Sequence, residues 1–161
     1  MKRRFLVLAG LVIALVVVNS TVLRYENLLR TGRVAMLELA PVDPRSLMQG
    51  DYMRLQFAVA HEAASSLQGR DADGGFVVVQ VGDRSIARFV RVQPDARVEA
   101  PGELAIRYRR KHGQIFLGSD AYFFEEGRAG HFEQARYGEL RVGEDGTALL
   151  TTLRDADLAA L

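Results

Sequence analysis

Phe76-Val77-Val78-Val79-Gln80-Val81 runs into Gly82-Asp83, and Ser85-Ile86-Ala87-Arg88-Phe89-Val90-Arg91-Val92 follows at once. A β-branched run of this kind predicts a strand, and the Gly-Asp step predicts a turn. The second apolar run then predicts a partner strand, so the whole reads as a hairpin. Working outward, Leu104–Arg109 is a third strand, Arg109-Arg110-Lys111-His112-Gly113 a basic hairpin tip, and Gln114–Leu117 the return. Ala121–Phe124 is a short aromatic strand; Tyr137–Val142 and Thr147–Leu153 form a last hairpin around Glu144-Asp145-Gly146, and Arg154–Leu161 is expected to be a short terminal helix. On the N-terminal side lie a polar loop over Gly69–Gly75, a short helix over Ala60–Gln68 and a strand over Val34–Leu39. Tyr52–Val59 alternates, with Met53, Leu55, Phe57 and Val59 on one face and Tyr52, Arg54 and Gln56 on the other, which predicts a half-buried strand. The pattern is mainly β: an antiparallel barrel- or sandwich-like domain with one or two short helices.

A different kind of segment precedes this domain. From Phe5 to Leu23 no residue is ionisable, and Lys2, Arg3 and Arg4 stand directly before the run. Its 19 residues approach the roughly 20 that cross a bilayer as a helix. The cations place residues 1–4 in the cytoplasm and send the C-terminus outward. The expected layout is a cytoplasmic segment 1–4, a transmembrane helix 5–23 that continues to about residue 30 and stops near Gly32, and an extracytoplasmic β-domain over 33–161. The competing reading is a cleaved signal peptide, with Val18 and Ser20 before a cut at Thr21. Its h-region would be long, and no A-x-A site is present.

The chain has 161 residues, 48% hydrophobic and 25% charged, with formal net charge +1 and no cysteine. Disulfides, thiolate metal sites and a Cys nucleophile are therefore excluded. Beyond residue 24 there remain 17 basic and 20 acidic residues, a net of −3. Such a domain is not expected to bind nucleic acid through its net charge.

Gly50-Asp51-Tyr52-Met53-Arg54-Leu55-Gln56-Phe57, preceded by Pro41-Val42-Asp43-Pro44, resembles the bacterial family named for this motif, the GDYXXLXY proteins. The segments Glu133–Val142 and Leu153-Arg154-Asp155 also resemble that family, so the likeness spans nearly the whole chain. Phe57 stands where the family name has Tyr, which favours a packing role there over one for a hydroxyl. The resemblance implies a single-pass protein of the bacterial cytoplasmic membrane without an assigned activity, partnered by a multi-pass membrane protein. The motif residues are Pro41, Asp43, Pro44, Gly50, Asp51, Tyr52, Leu55 and Phe57. Their chemistry fits a structural role: Gly50 and Asp51 suit a turn, Leu55 and Phe57 share one strand face, and Tyr52 points to the other.

Candidate chemistry is sparse. A Ser/Lys hydrolase of signal-peptidase type would use Ser46 and Lys111, the one lysine after the anchor, yet Arg109 and Arg110 beside it favour a solvated, charged side chain. His61, His112 and His131 lie on separate segments, and Asp71-x-Asp73-Gly74 lacks the spacing of a Ca²⁺ loop, so no metal and no cofactor is expected. Tyr122-Phe123-Phe124 is the densest aromatic patch, and alternation buries either Phe123 or its two neighbours. Gly10 and Ala14 form a small-x-x-x-small pair in the anchor. The preferred reading is an anchored interaction or accessory protein; the alternatives are the hydrolase and a small-ligand binder.

Overall fold

The computed structural model describes residues 2–40, 48–49, 52–68, 73–119 and 121–161. Helix α1 runs over Lys2–Thr31. At 1.5 Å per residue it is about 45 Å long, well beyond the ~30 Å of a hydrocarbon core. Within it, Gly10–Thr31 is long and apolar enough to span a bilayer. Every residue from Gly10 to Asn27 is exposed, and in the last two turns only Leu28 is buried. Between Gly10 and Leu23 the polar side chains are Asn19, Ser20 and Thr21, and each is turned onto its own helix. Asn19 donates to the Leu15 carbonyl at 2.8 Å, and Ser20 and Thr21 both donate to Val17, at 2.8 and 2.9 Å. Each of the three thus has a side-chain donor satisfied inside the helix, which lowers the cost of placing it in lipid.

The helix ends where its backbone meets the domain. Gly32 N–H donates to the Leu28 carbonyl at 2.8 Å, and Arg141 reaches the Gly32 carbonyl at 3.3 Å. A Cβ at position 32 would stand 2.5 Å from the Leu28 oxygen, so only glycine fits this junction.

The domain is built from β1 (Arg33–Glu38), β2 (Met48–Gln49), β3 (Tyr52–Arg54), α2 (Ala58–Ser66), β4 (Gly74–Val81), β5 (Ala87–Gln93), β6 (Glu103–Lys111), β7 (Gln114–Leu117), β8 (Ala121–Phe123), α3 (Ala129–Phe132), β9 (Tyr137–Val142) and β10 (Ala148–Arg154). Three antiparallel sheets result, ordered β1-β9-β10, β2-β3-β8 and β5-β4-β6-β7. A Met36–Ile86 bridge joins the first to the third. Among the described residues the sheets do not close into a barrel. The expected hairpins β4–β5, β6–β7 and β9–β10 all form. One core fills the space between the sheets and α2, with Leu37, Val77, Val79, Ile106, Leu140 and Leu153 essentially inaccessible.

Three expectations are corrected. The strand expected over Tyr52–Val59 stops at Arg54, and Val59 is buried from within α2. A Leu39–Phe57 bridge and the bond from Ala40 N–H to the Gln56 carbonyl hold the chain extended to Phe57, after which it coils. Gly74 and Gly75 belong to β4, not to a loop, because β6 supplies ladder partners for both. The terminal helix over Arg154–Leu161 is absent. Asp155 Oδ1 accepts from the Asp157 and Ala159 N–H groups, Leu158 takes φ 67°, and Leu161 N–H returns to the Leu153 carbonyl. Eight residues are too few to form an isolated helix against that competition. Two short helical segments escape the sequence reading: α3 and a 3-10 turn over Asp83–Ser85.

Candidate functional site

Pro41, Asp43, Pro44, Ser46, Gly50 and Asp51 lie outside the described residues. The rest of the motif is split between inside and outside, as its alternation requires. Met53, Leu55 and Phe57 are buried. Phe57 packs over Gly138 of β9: a Cβ there would stand 2.9 Å from Phe57 Cε1. This contact joins the motif to the segment near the C-terminus, and a glycine inside a strand signals such a close approach. No hydroxyl is required for it, in keeping with phenylalanine at this position.

Tyr52 faces outward and pairs in register with Phe123 of β8, their ring centroids 5.7 Å apart. Phe123 is 75% exposed. Its neighbours Tyr122 and Phe124 turn inward onto the buried Phe132 of α3, at 5.3 and 5.0 Å between centroids. Of the two alternations open to the aromatic triplet, the fold takes the one that exposes Phe123.

Beside the motif a partly enclosed cleft of about 150 Å³ opens between α2 and β7. Leu55 and Phe57 form its inner wall, Ala60, His61 and Ala64 its helical wall, and Ile115 and Leu117 its strand wall. Ala60 and Ala64 are one turn apart, and their small side chains leave the space open. Gln56, Gln114 and Ser119 supply polar groups. Ser119 Oγ donates to the Ala121 carbonyl at 2.6 Å. Leu55, Phe57 and His61 stand out in the sequence, whereas Gln114, Ile115, Leu117 and Ser119 do not, because only the tertiary fold sets β7 against α2.

The other candidates are dispersed. Lys111 is exposed at the β6–β7 tip, beside the exposed Arg109. His61, His112 and His131 are all exposed, and among the described residues no three metal-ligating side chains cluster.

The strongest electrostatic feature is structural. The carboxylate of buried Glu103 is held by Arg91 at 2.7 and 3.0 Å and accepts from the Glu99 N–H at 2.9 Å. The Arg91 hydrogen bonds, then the Glu99 amide, hold its pKa at about 2, against 4.5 for a free carboxyl. Between those values the unfolded chain takes up a proton that the folded chain refuses. Stability is thus expected to fall as pH drops from about 5 to 2. Glu103→Gln should make that decline shallower in acid unfolding curves. It should not abolish it, because Asp145 is also held below its usual range, by the Thr147 N–H and hydroxyl.

The profile of the GDYXXLXY protein family matches residues 14–153, from within α1 to β10. The chain belongs to this family. No curated protein and no solved structure matches it. In this GDYXXLXY protein the motif thus does two physical jobs: Leu55 and Phe57 join the core to β9 and wall the cleft, while Tyr52 meets an exposed aromatic outside.

Proposed function

We propose that this GDYXXLXY protein is an interaction subunit of the bacterial cytoplasmic membrane. In this reading α1 anchors the chain, the β-domain stands outside the cytoplasm, and the partner is a multi-pass membrane protein. The observation that carries it is the Tyr52–Phe123 pair: a motif side chain turned away from the core, against a phenylalanine left three-quarters exposed. Exposed aromatics of this kind are enriched at the energetic centres of protein interfaces. The exposed apolar length of α1 and the cations at its start support the anchor and its orientation.

The test is purification of the full chain from membranes in mild detergent, followed by mass spectrometry. Wild type is expected to bring down a defined multi-pass protein in stoichiometric yield. Phe123→Ser should weaken that association about 30-fold, the equivalent of ~2 kcal/mol for an interface anchor. Recovery of the bait alone across several detergents would refute the proposal. So would a reporter fused after Leu161 that is active only in the cytosol.

A further inference from the structure

The strand wall of the cleft is also an open sheet edge. His112 and Gly113 form a two-residue turn with φ of 50° and 78°, flanked by the Lys111–Gln114 pair. In a type I′ hairpin the flanking pair exchanges both ladder bonds, and bonded and non-bonded pairs then alternate. Gln114 and Phe116 therefore bond to β6, while the N–H and C=O groups of Ile115 and Leu117 point away from it. Among the described residues no second strand pairs with β7, and no hydrogen bond reaches those four groups. Ile115 and Leu117 are nonetheless buried residues. Backbone donors and acceptors in such a position call for a partner.

Three features converge at this place. The edge offers peptide groups at strand spacing that are unpaired among the described residues. The adjoining cleft is mainly apolar, with a few polar groups, and has the volume of a cavity that holds a benzene-sized group. The hairpin tip at its end carries Arg109 and Lys111, both exposed, so the surroundings are positive. An exposed edge, a side-chain pocket and a charge bias are the elements by which strand addition selects a peptide.

We propose that β7 receives an extended peptide segment of the partner protein, which adds as a strand to Ile115–Leu117. One of its apolar side chains enters the cleft between Ala60 and Ala64 of α2 and the wall of Leu55 and Phe57. A carboxylate of the same segment lies toward Arg109 and Lys111. The proposal rests on the interaction-subunit reading and adds the chemistry of what is recognised.

The experiment selects a displayed random heptapeptide library on the full-length protein in detergent micelles. Sequences with one apolar residue at a fixed distance from Asp or Glu should be enriched. The synthetic consensus peptide should slow amide exchange at Ile115 and Leu117 and bind more weakly as NaCl rises from about 0.05 to 0.5 M. Ala64→Leu, which fills the cleft, and Ile115→Pro, which removes an outward N–H while leaving the bonds of Gln114 and Phe116 to β6, should each weaken it by at least about tenfold. Circular dichroism melts check that both variants fold; if one does not, N-methylation of alternate peptide amides makes the same test on the ligand. Lack of enrichment, equal binding to the Ala64→Leu variant, protection confined to other strands, or concentration-dependent pairing of β7 with a second copy of the chain would each overturn the proposal. The library contains no native partner and the Phe123→Ser purification does not involve β7, so either result stands when the other fails.

Discussion

Phe57→Ala is expected to lower the unfolding free energy by about 3–5 kcal/mol, a large share of the 5–15 kcal/mol that holds most domains folded. The ring is buried at the meeting point of the motif, α2 and β9, and its removal leaves a void that these elements cannot close independently. The magnitude follows from the lost apolar transfer energy together with the cavity left behind. The reciprocal change is equally specific. Gly138→Ala places a methyl group 2.9 Å from Phe57 Cε1 and 3.0 Å from Leu150 Cδ1, and is expected to cost about 1–3 kcal/mol. In the Phe57→Ala background that cost should shrink to the part owed to Leu150, because the ring that the methyl group meets is gone. Denaturant unfolding followed by circular dichroism at the sheet signal measures all three variants. Strict additivity would show that Phe57 and Gly138 do not share one packing site.

The second large effect is expected at the Arg154–Glu139 pair. Arg154 Nε donates to Glu139 Oε2 at 2.6 Å, and its Nη1 donates to the Leu158 carbonyl at 2.6 Å. The carboxylate is almost fully buried, while the guanidinium keeps about a quarter of its exposure. Glu139→Ala leaves that cation with one bond in place of two. The cost should be about 1.5–3 kcal/mol, below that of breaking a fully buried pair because water still reaches Arg154. The double change Glu139→Leu, Arg154→Leu should recover most of the loss, since two apolar side chains leave no orphan charge. The return of residues 155–161 hangs on Arg154, so faster proteolysis of the C-terminus should accompany the single change and not the Glu103→Gln variant.

The split between what was legible in the residues and what was not follows the range of the interactions. The apolar run of α1, the β-branched β4, the hairpins around Gly82, His112-Gly113 and Asp145-Gly146, and the Met53–Leu55–Phe57 alternation are all set by neighbours within a few positions. Periodicity and turn chemistry act at that range. The place of Phe57 could be read as buried, but not that it is buried over Gly138, 81 positions along the chain.

The sequence alone therefore determined the long apolar N-terminal helix, the mainly β class and the inward face of the motif, because the energies that decide them are local. Tertiary structure alone decided that β3 ends at Arg54, that the last eight residues fold back on Asp155 instead of coiling, that Phe123 is the exposed member of its triplet, and that β7 stands open beside α2. The extension to Phe57 depends on the end of β1, and the setting of β7 depends on α2, both far along the chain. The C-terminal return on β10 and the inward turn of Tyr122 and Phe124 onto α3 depend on contacts about ten residues away that the apolar pattern does not specify. Only when those elements meet does burial outweigh the preference of the local segment.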